Sequence, residues 1–121
     1  MNDLARVEAR REGRVAIAAI NGEVDSSNVD QVMAAITAAV PNELDGVVVD
    51  LSGVRYLDSA GVGLLFALAN ALSRTGQQLR VSLPETSLVW RVLELTSASD
   101  VIPIDGTVEA AVSAIADAAD R

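Results

Sequence analysis

Cysteine, histidine and lysine do not occur anywhere in the 121 residues. Their absence removes most familiar enzyme chemistry. Without Cys there is no disulfide and no thiolate nucleophile, and without His there is no imidazole base for a serine triad. A zinc site of the usual Cys and His kind goes with them. Without Lys there is no Schiff base and no Ser–Lys dyad. Carboxylates, hydroxyls and nine arginines remain. No Gly-x-x-x-x-Gly-Lys phosphate loop is present, so a hydrolase or nucleotide-binding enzyme built on Asp25, Asp58 and Ser59 would have no base stronger than a carboxylate.

Aromatic residues are also scarce, with one Phe, one Trp and one Tyr. The core must then be aliphatic, and stacking on the bases of single-stranded nucleic acid is disfavoured. A formal net charge of −8 gives no general positive field to gather phosphates, so nucleic acid is not an expected partner. Arg6, Arg10, Arg11 and Arg14 cluster near the start but alternate with Glu8 and Glu12, the pattern of the solvent side of a hairpin. The longest apolar stretch, Gly61 to Leu72, is interrupted by Asn70 and is shorter than the roughly 20 residues that span a bilayer. Met1 to Glu12 is mostly polar and does not read as a signal segment. These features predict a cytoplasmic protein without membrane insertion.

Half the residues are apolar, enough for one domain with a real core, expected over residues 1–121 with its folded part at about 6–116 and frayed ends, Ala118 to Arg121 among them. Arg6 to Arg11 and Arg14 to Ile20 read as a strand pair turning at Glu12-Gly13, and Asn21-Gly22 reads as the end of the second strand. The loop Glu23 to Ser27 leads to a helix cap within Ser26 to Asn28. Val29, Val32, Met33, Ile36 and Val40 then follow at helical spacing until Pro41. Val47, Val48 and Val49 have no polar face and suit a central strand buried on both sides. Ser52-Gly53 reads as its end.

Asp58-Ser59 stands directly before the apolar run, and either residue is a suitable N-cap for the helix that ends at Thr75-Gly76. Gly61 and Gly63 should each cost about 1 kcal/mol inside a helix. They serve either a tight approach to the sheet or a smooth surface for a partner. Leu79, Val81 and Leu83 alternate with Arg80 and Ser82, a strand apolar on one face. Pro84-Glu85 opens a third helix with Leu88, Val89, Val92 and Leu93 on one face, leaving Trp90 offset, either partly buried under a loop or a contact residue. Val101 to Ile104 reads as a short edge strand because Pro103 cannot donate to a ladder. Asp105-Gly106-Thr107 caps a last helix with Val108, Ala111, Val112 and Ile115 inward. The class is α/β: a mixed sheet of four or five strands, an antiparallel hairpin first and mostly parallel after it, with about four helices chiefly on one side.

Three segments together, Gly22-Glu23-Val24-Asp25, Val47 to Val54 (Val-Val-Val-Asp-Leu-Ser-Gly-Val) and Leu57 to Leu65 (Leu-Asp-Ser-Ala-Gly-Val-Gly-Leu-Leu), resemble the STAS domain of bacterial anti-sigma factor antagonists. The resemblance runs from about Arg14 to Val112. It implies a phosphorylation site at Ser59 and a partner surface of Asp25, Ser26, Ser27, Asp58, Ala60, Gly61 and Val62, with no catalytic group, metal or cofactor of the chain's own. The implied partner is an anti-sigma factor that is also a serine kinase of ATPase fold, with a phosphoserine phosphatase to reverse the modification. The chain itself is expected to be a monomer or weak dimer. A second role found among STAS proteins is that of a scaffold or regulatory subunit in a stressosome-like or transporter-associated assembly. The chain departs from the family at Ser97-Ala98, where a glycine is usual.

Overall fold

Strand β3 (Gly46–Leu57) forms the centre of the molecule, because Val47, Val48 and Val49 leave it no face for water and all three are fully buried. The computed structural model describes residues 5–120. On one side of β3 lie β2 (Val15–Val24) and, antiparallel to it, β1 (Ala5–Glu12); on the other lie β4 (Gln78–Ser82) and the two-residue β5 (Ile104–Asp105). The sheet order is β1-β2-β3-β4-β5, and every pairing after the hairpin is parallel.

Each parallel step is bridged by one helix: α1 (Val29–Ala38), α2 (Ser59–Arg74) and α3 (Leu88–Leu95). Strand order always advances in the same direction, so crossovers of one hand put all three helices on one face. There they cover Ala16, Ala18, Ile20, Val47, Val49, Leu51, Leu79 and Val81. The last helix, α4 (Val108–Ala119), turns to the other face and covers Val15, Ile17 and Val48 with Ala111 and Ile115. The expected face of Val29, Val32, Met33 and Ile36 packs inward on α1, and Gly76 closes α2 with left-handed backbone.

Several boundaries differ from the sequence reading, each for a local reason. Neither Ser52-Gly53 nor Asn21-Gly22 ends its strand. The pairing of β2 with β3 continues to Val24 and Leu57 through two register slips, each adding one residue to β3. At the first slip the Asp50 carboxylate accepts from the Ser52 N–H at 3.0 Å and hydroxyl at 2.7 Å. Gly53 lets the strands approach closely there: a Cβ would displace the Asn21 side chain and press on the Ile20 carbonyl at 3.2 Å. The third helix opens at Leu88 rather than Pro84, where Ser87 Oγ accepts from the Val89 N–H. Leu88, expected in the core, is 86% exposed. Trp90 is half-buried against the main core.

The last strand is shorter than Val101 to Ile104 and begins at Ile104. Val101 is exposed, while the Pro103 carbonyl accepts from the Val81 N–H at 2.9 Å. The polar side of β4 is closed by Arg80, whose guanidinium donates to both oxygens of Asp105 at 2.7 and 3.2 Å. The last helix runs through Ala119. Met1 to Leu4 and Arg121 lie outside the described residues.

The departure at Ser97 has an energetic consequence. Ser97 follows α3 with φ +61°, the left-handed region that penalises an L side chain by roughly 1–2 kcal/mol and glycine hardly at all. Ser97→Gly should raise stability by about 1 kcal/mol and the melting temperature by about 3–6 °C. Thermal and denaturant unfolding check this; an unchanged or lowered midpoint would mean that the backbone there carries no strain.

Candidate functional site

The site is set by where two neighbouring parallel strands stop. Val24 of β2 and Leu57 of β3 are register partners, and the Asp58 N–H still donates to the Val24 carbonyl at 3.3 Å. Asp25 and Asp58 are the residues that come next on each strand. Two polar loops therefore leave the carboxyl edge of the sheet side by side, the position at which α/β folds place their sites.

Asp58 is the N-cap of α2. Its backbone is extended, and its Oδ1 accepts from the Ala60 and Gly61 N–H groups at 2.9 and 3.1 Å. Ser59 is thus the first helical residue and not the cap, and it is exposed. This resolves the choice left open between the two. Ala60 is half-buried, while Gly61 and Val62 are buried and form the underside of the site. A Cβ on Gly61 would lie 2.3 Å from Leu57 Cδ1, so this glycine serves tight packing of the helix on the end of its own strand. Gly63 is exposed with nothing within 4 Å of a Cβ, so it is the one that smooths the surface.

Across from it, Asp25 closes a small turn. Its Oδ1 accepts from the Ser27 N–H at 2.8 Å and from Ser27 Oγ at 2.5 Å. These donors favour the charged form and hold the Asp25 carboxyl below its ordinary value of 3.8. Ser26 and Ser27 are both exposed. Asn28 takes the N-cap position of α1 but turns its side chain back into the loop. Its Nδ2 donates to the Glu23 carbonyl at 2.8 Å and its Oδ1 accepts from the Asp25 N–H at 3.0 Å. Asn28 is only 3% exposed, so its side chain holds the loop from beneath through two part-buried bonds. From the sequence Asn28 is one of three candidate caps, since an Asn next to two serines gives no sign of burial.

Exposed apolar groups adjoin the site as well. Tyr56, half-exposed, and Leu88 flank a shallow groove of about 170 Å³ that also includes Arg55, Leu57, Val89 and Val92. Arg55 reaches Glu23 at 3.9 Å across the two strands. Among the described residues no group of three or more carboxylates is placed to hold a metal ion, and no helix is long and apolar enough to cross a membrane.

A helix start with an aspartate cap and an exposed serine, beside an acidic turn on the adjacent strand, can be tied to relatives. The family model described as the STAS domain matches residues 6–111. The chain belongs to the STAS domain family. BtrV of Bordetella bronchiseptica, named as a candidate anti-sigma factor antagonist, is 30% identical over 105 residues, which cover 87% of this chain and 90% of that one. Among solved structures, an anti-sigma factor antagonist from Mycobacterium paratuberculosis superposes with a TM-score of 0.81 at 24% identity, covering 92% of this STAS chain and 93% of the other. The Bacillus cell fate determinant SpoIIAA in its phosphorylated form superposes with a TM-score of 0.62 at 21% identity, covering 91% and 99%. Both likenesses confirm the STAS fold, mixed sheet and flanking helices included.

Two measurements check the site's local physics. Gly61→Ala should destabilise the domain, because Leu57 has to move, whereas Gly63→Ala should stabilise it by about 0.5–1 kcal/mol as an ordinary helix substitution. Equal effects in denaturant unfolding would contradict the packing described. For Asp25 the folded pKa lies below the unfolded one, so its contribution is fully present above the unfolded pKa and is lost as pH falls through the folded pKa. Carbon-detected NMR titration should find the Asp25 carboxyl below 3.8 and moving back toward it in Ser27→Ala; a carboxyl at its ordinary value in the parent protein would contradict the turn.

Proposed function

We propose that this STAS chain is an anti-sigma factor antagonist that works as a phosphorylation-controlled binding switch. Its unphosphorylated form binds an anti-sigma factor that is also a serine kinase of ATPase fold, and so frees a sigma factor. Phosphorylation of Ser59 by that kinase ends the complex, and a phosphoserine phosphatase restores it. The kinase supplies nucleotide, metal and base; the antagonist supplies the hydroxyl and the surface. The name of BtrV supports the reading for the antagonist role, and the phosphorylated form of SpoIIAA supports it for the modification.

The observation that carries the reading is the placing of Ser59. It is exposed at the first position of α2, while the neighbouring Asp58 does the capping, so the hydroxyl has no structural duty that modification would remove. The binding surface comprises Asp25, Ser26 and Ser27 on one loop and Asp58, Ser59 and Ala60 on the other, with Gly63 continuing it along the helix. Gly61 and Val62 support it from below.

Magnitudes separate a change of surface from a change of fold. A phosphoserine adds about −1.5 to −2 charges near pH 7. At a helix N-terminus an anion gains roughly 0.3–1 kcal/mol, partly offset here by the nearby Asp25 and Asp58 carboxylates, so the domain should not melt. Against a partner the balance reverses. One like-charge pair at about 6 Å with an effective dielectric near 20 costs roughly 3 kcal/mol before screening, and about 1.4 kcal/mol is tenfold in affinity.

Phosphorylation, or Ser59→Asp in part, should therefore weaken kinase binding by about ten- to several-hundredfold and move the melting temperature by no more than a few degrees. Ser59→Ala should bind without regulation at near-parental stability, because the cap is Asp58. Calorimetric titration against the cognate kinase decides it. Equal affinities of the parent and phosphorylated forms would sink the switch, and a collapsed melting temperature would mean that phosphate acts by unfolding.

A further inference from the structure

Among the described residues the outer edge of β1 is the long free edge of the sheet, since the strand order begins at β1 and its only pairing there is with β2. Such an edge presents unpaired backbone groups that another strand can meet. Proteins usually blunt it with charged side chains, Lys above all. Here the signs alternate. Ala5 and Val7 pack toward the main core, so Arg6, Glu8, Arg10 and Glu12 share the opposite face, and all four are exposed. Only Arg10 and Glu12 among them form an ion pair with each other, at 3.2 Å, and it is an exposed one.

That order is self-complementary about Ala9. When a second copy's β1 lies antiparallel with Ala9 opposite Ala9, Arg6 faces Glu12 and Glu8 faces Arg10, and the two-fold repeats each pair. Opposite charges directly across a strand pair stabilise it, and like charges destabilise it. The neighbouring registers that keep the same face together are disfavoured. Sliding by one step of two residues sets Arg6 against Arg10 with Glu8 against Glu8, and sliding the other way sets Glu8 against Glu12 with Arg10 against Arg10. The edge thus specifies one register and excludes its neighbours.

Charge also favours this edge over other surfaces for self-association. β1 holds three arginines and two glutamates, whereas the chain as a whole carries −8. On the other face of the strand, α1 packs over β1 and exposes Ala34, Ala35 and Ala38, so it presents little bulk to a neighbour.

We propose that β1 is a homodimer interface, pairing antiparallel with β1 of a second copy in the register centred on Ala9 and joining two sheets into one. Because Gly22 lies opposite Ala5, the switch loops sit at the Ala5 end of each hairpin. The two-fold then places the two switch sites at opposite ends of the joined sheet, each free to engage its own partner.

Sedimentation equilibrium of the full chain over a concentration series should give a monomer–dimer equilibrium that weakens with added salt. Glu8→Arg alone and Arg10→Glu alone each set like charges opposite one another and should weaken the dimer by at least about tenfold. Glu8→Arg combined with Arg10→Glu restores opposite pairs and should return the affinity to within about threefold of the parent. Residues 8 and 10 lie across from Ala19 and Ile17 of β2, so the swap sets no charge against β2.

The lack of cysteine allows a second measurement. On the two-fold, Cα atoms are about 4.5–5.5 Å apart, within disulfide range, so Ala9→Cys should cross-link to a covalent dimer under mild oxidation while Ser113→Cys on α4 stays monomeric. A protein that is monomeric at every concentration, single reversals that leave the dimer unchanged, or cross-linking no faster at position 9 than at 113 would each overturn the interface. None of these outcomes bears on Ser59, so the switch stands or falls separately.

Discussion

The parallel pairing of Val24 with Leu57 is the constraint on which the rest of the site depends. It ends two adjacent strands at the same height, and the Asp58 N–H bonded to the Val24 carbonyl locks the start of α2 to the end of β2. Everything placed in the two loops follows from that register. The first of the two extra residues in β3 is accommodated by a carboxylate turn at Asp50 and by Gly53, which packs closely on Asn21 and the Ile20 carbonyl.

On that base the two loops are held by different devices. Asp58 caps its helix with its own side chain, leaving Ser59 without a structural task. The acidic turn is held from beneath by Asn28, a buried amide with both ends bonded, and from within by Ser27 on the Asp25 carboxylate. Both loops are held by hydrogen bonds made within this chain. Little conformational freedom then remains to be lost on binding, and under the proposed switch the charge of a phosphate would be felt by the partner rather than by the fold.

Much of this was legible in the sequence. Val47 to Val49 marked the central strand, the 3.6-residue spacing marked α1 and α4, and the Asp-Ser step after a strand marked the helix start. The resemblance to STAS domains rested on those same residues. What misled was polar residues with a tertiary purpose. Ser52-Gly53 resembles a loop, and only the backbone of β2, which no local pattern reports, turns it into a bulge. Leu88 fits a helical face by spacing, yet the helix begins at that residue and its first side chain points out. Arg80 and Ser82 read as a solvent face, but α4 crosses to that side and Asp105 meets the arginine. Gly61 and Gly63 look alike in sequence; only the position of Leu57 separates packing from surface.

The central claim is that the site is preformed and that phosphate on Ser59 alters its surface and not its frame. The most direct test is to compare amide NMR spectra of the protein before and after stoichiometric phosphorylation. Shift changes should be confined to residues 22–28 and 57–63, with hydrogen-exchange protection of β2, β3 and α2 unchanged. Changes spreading through Val47 to Val49 and β4, or lost protection in α2, would contradict it.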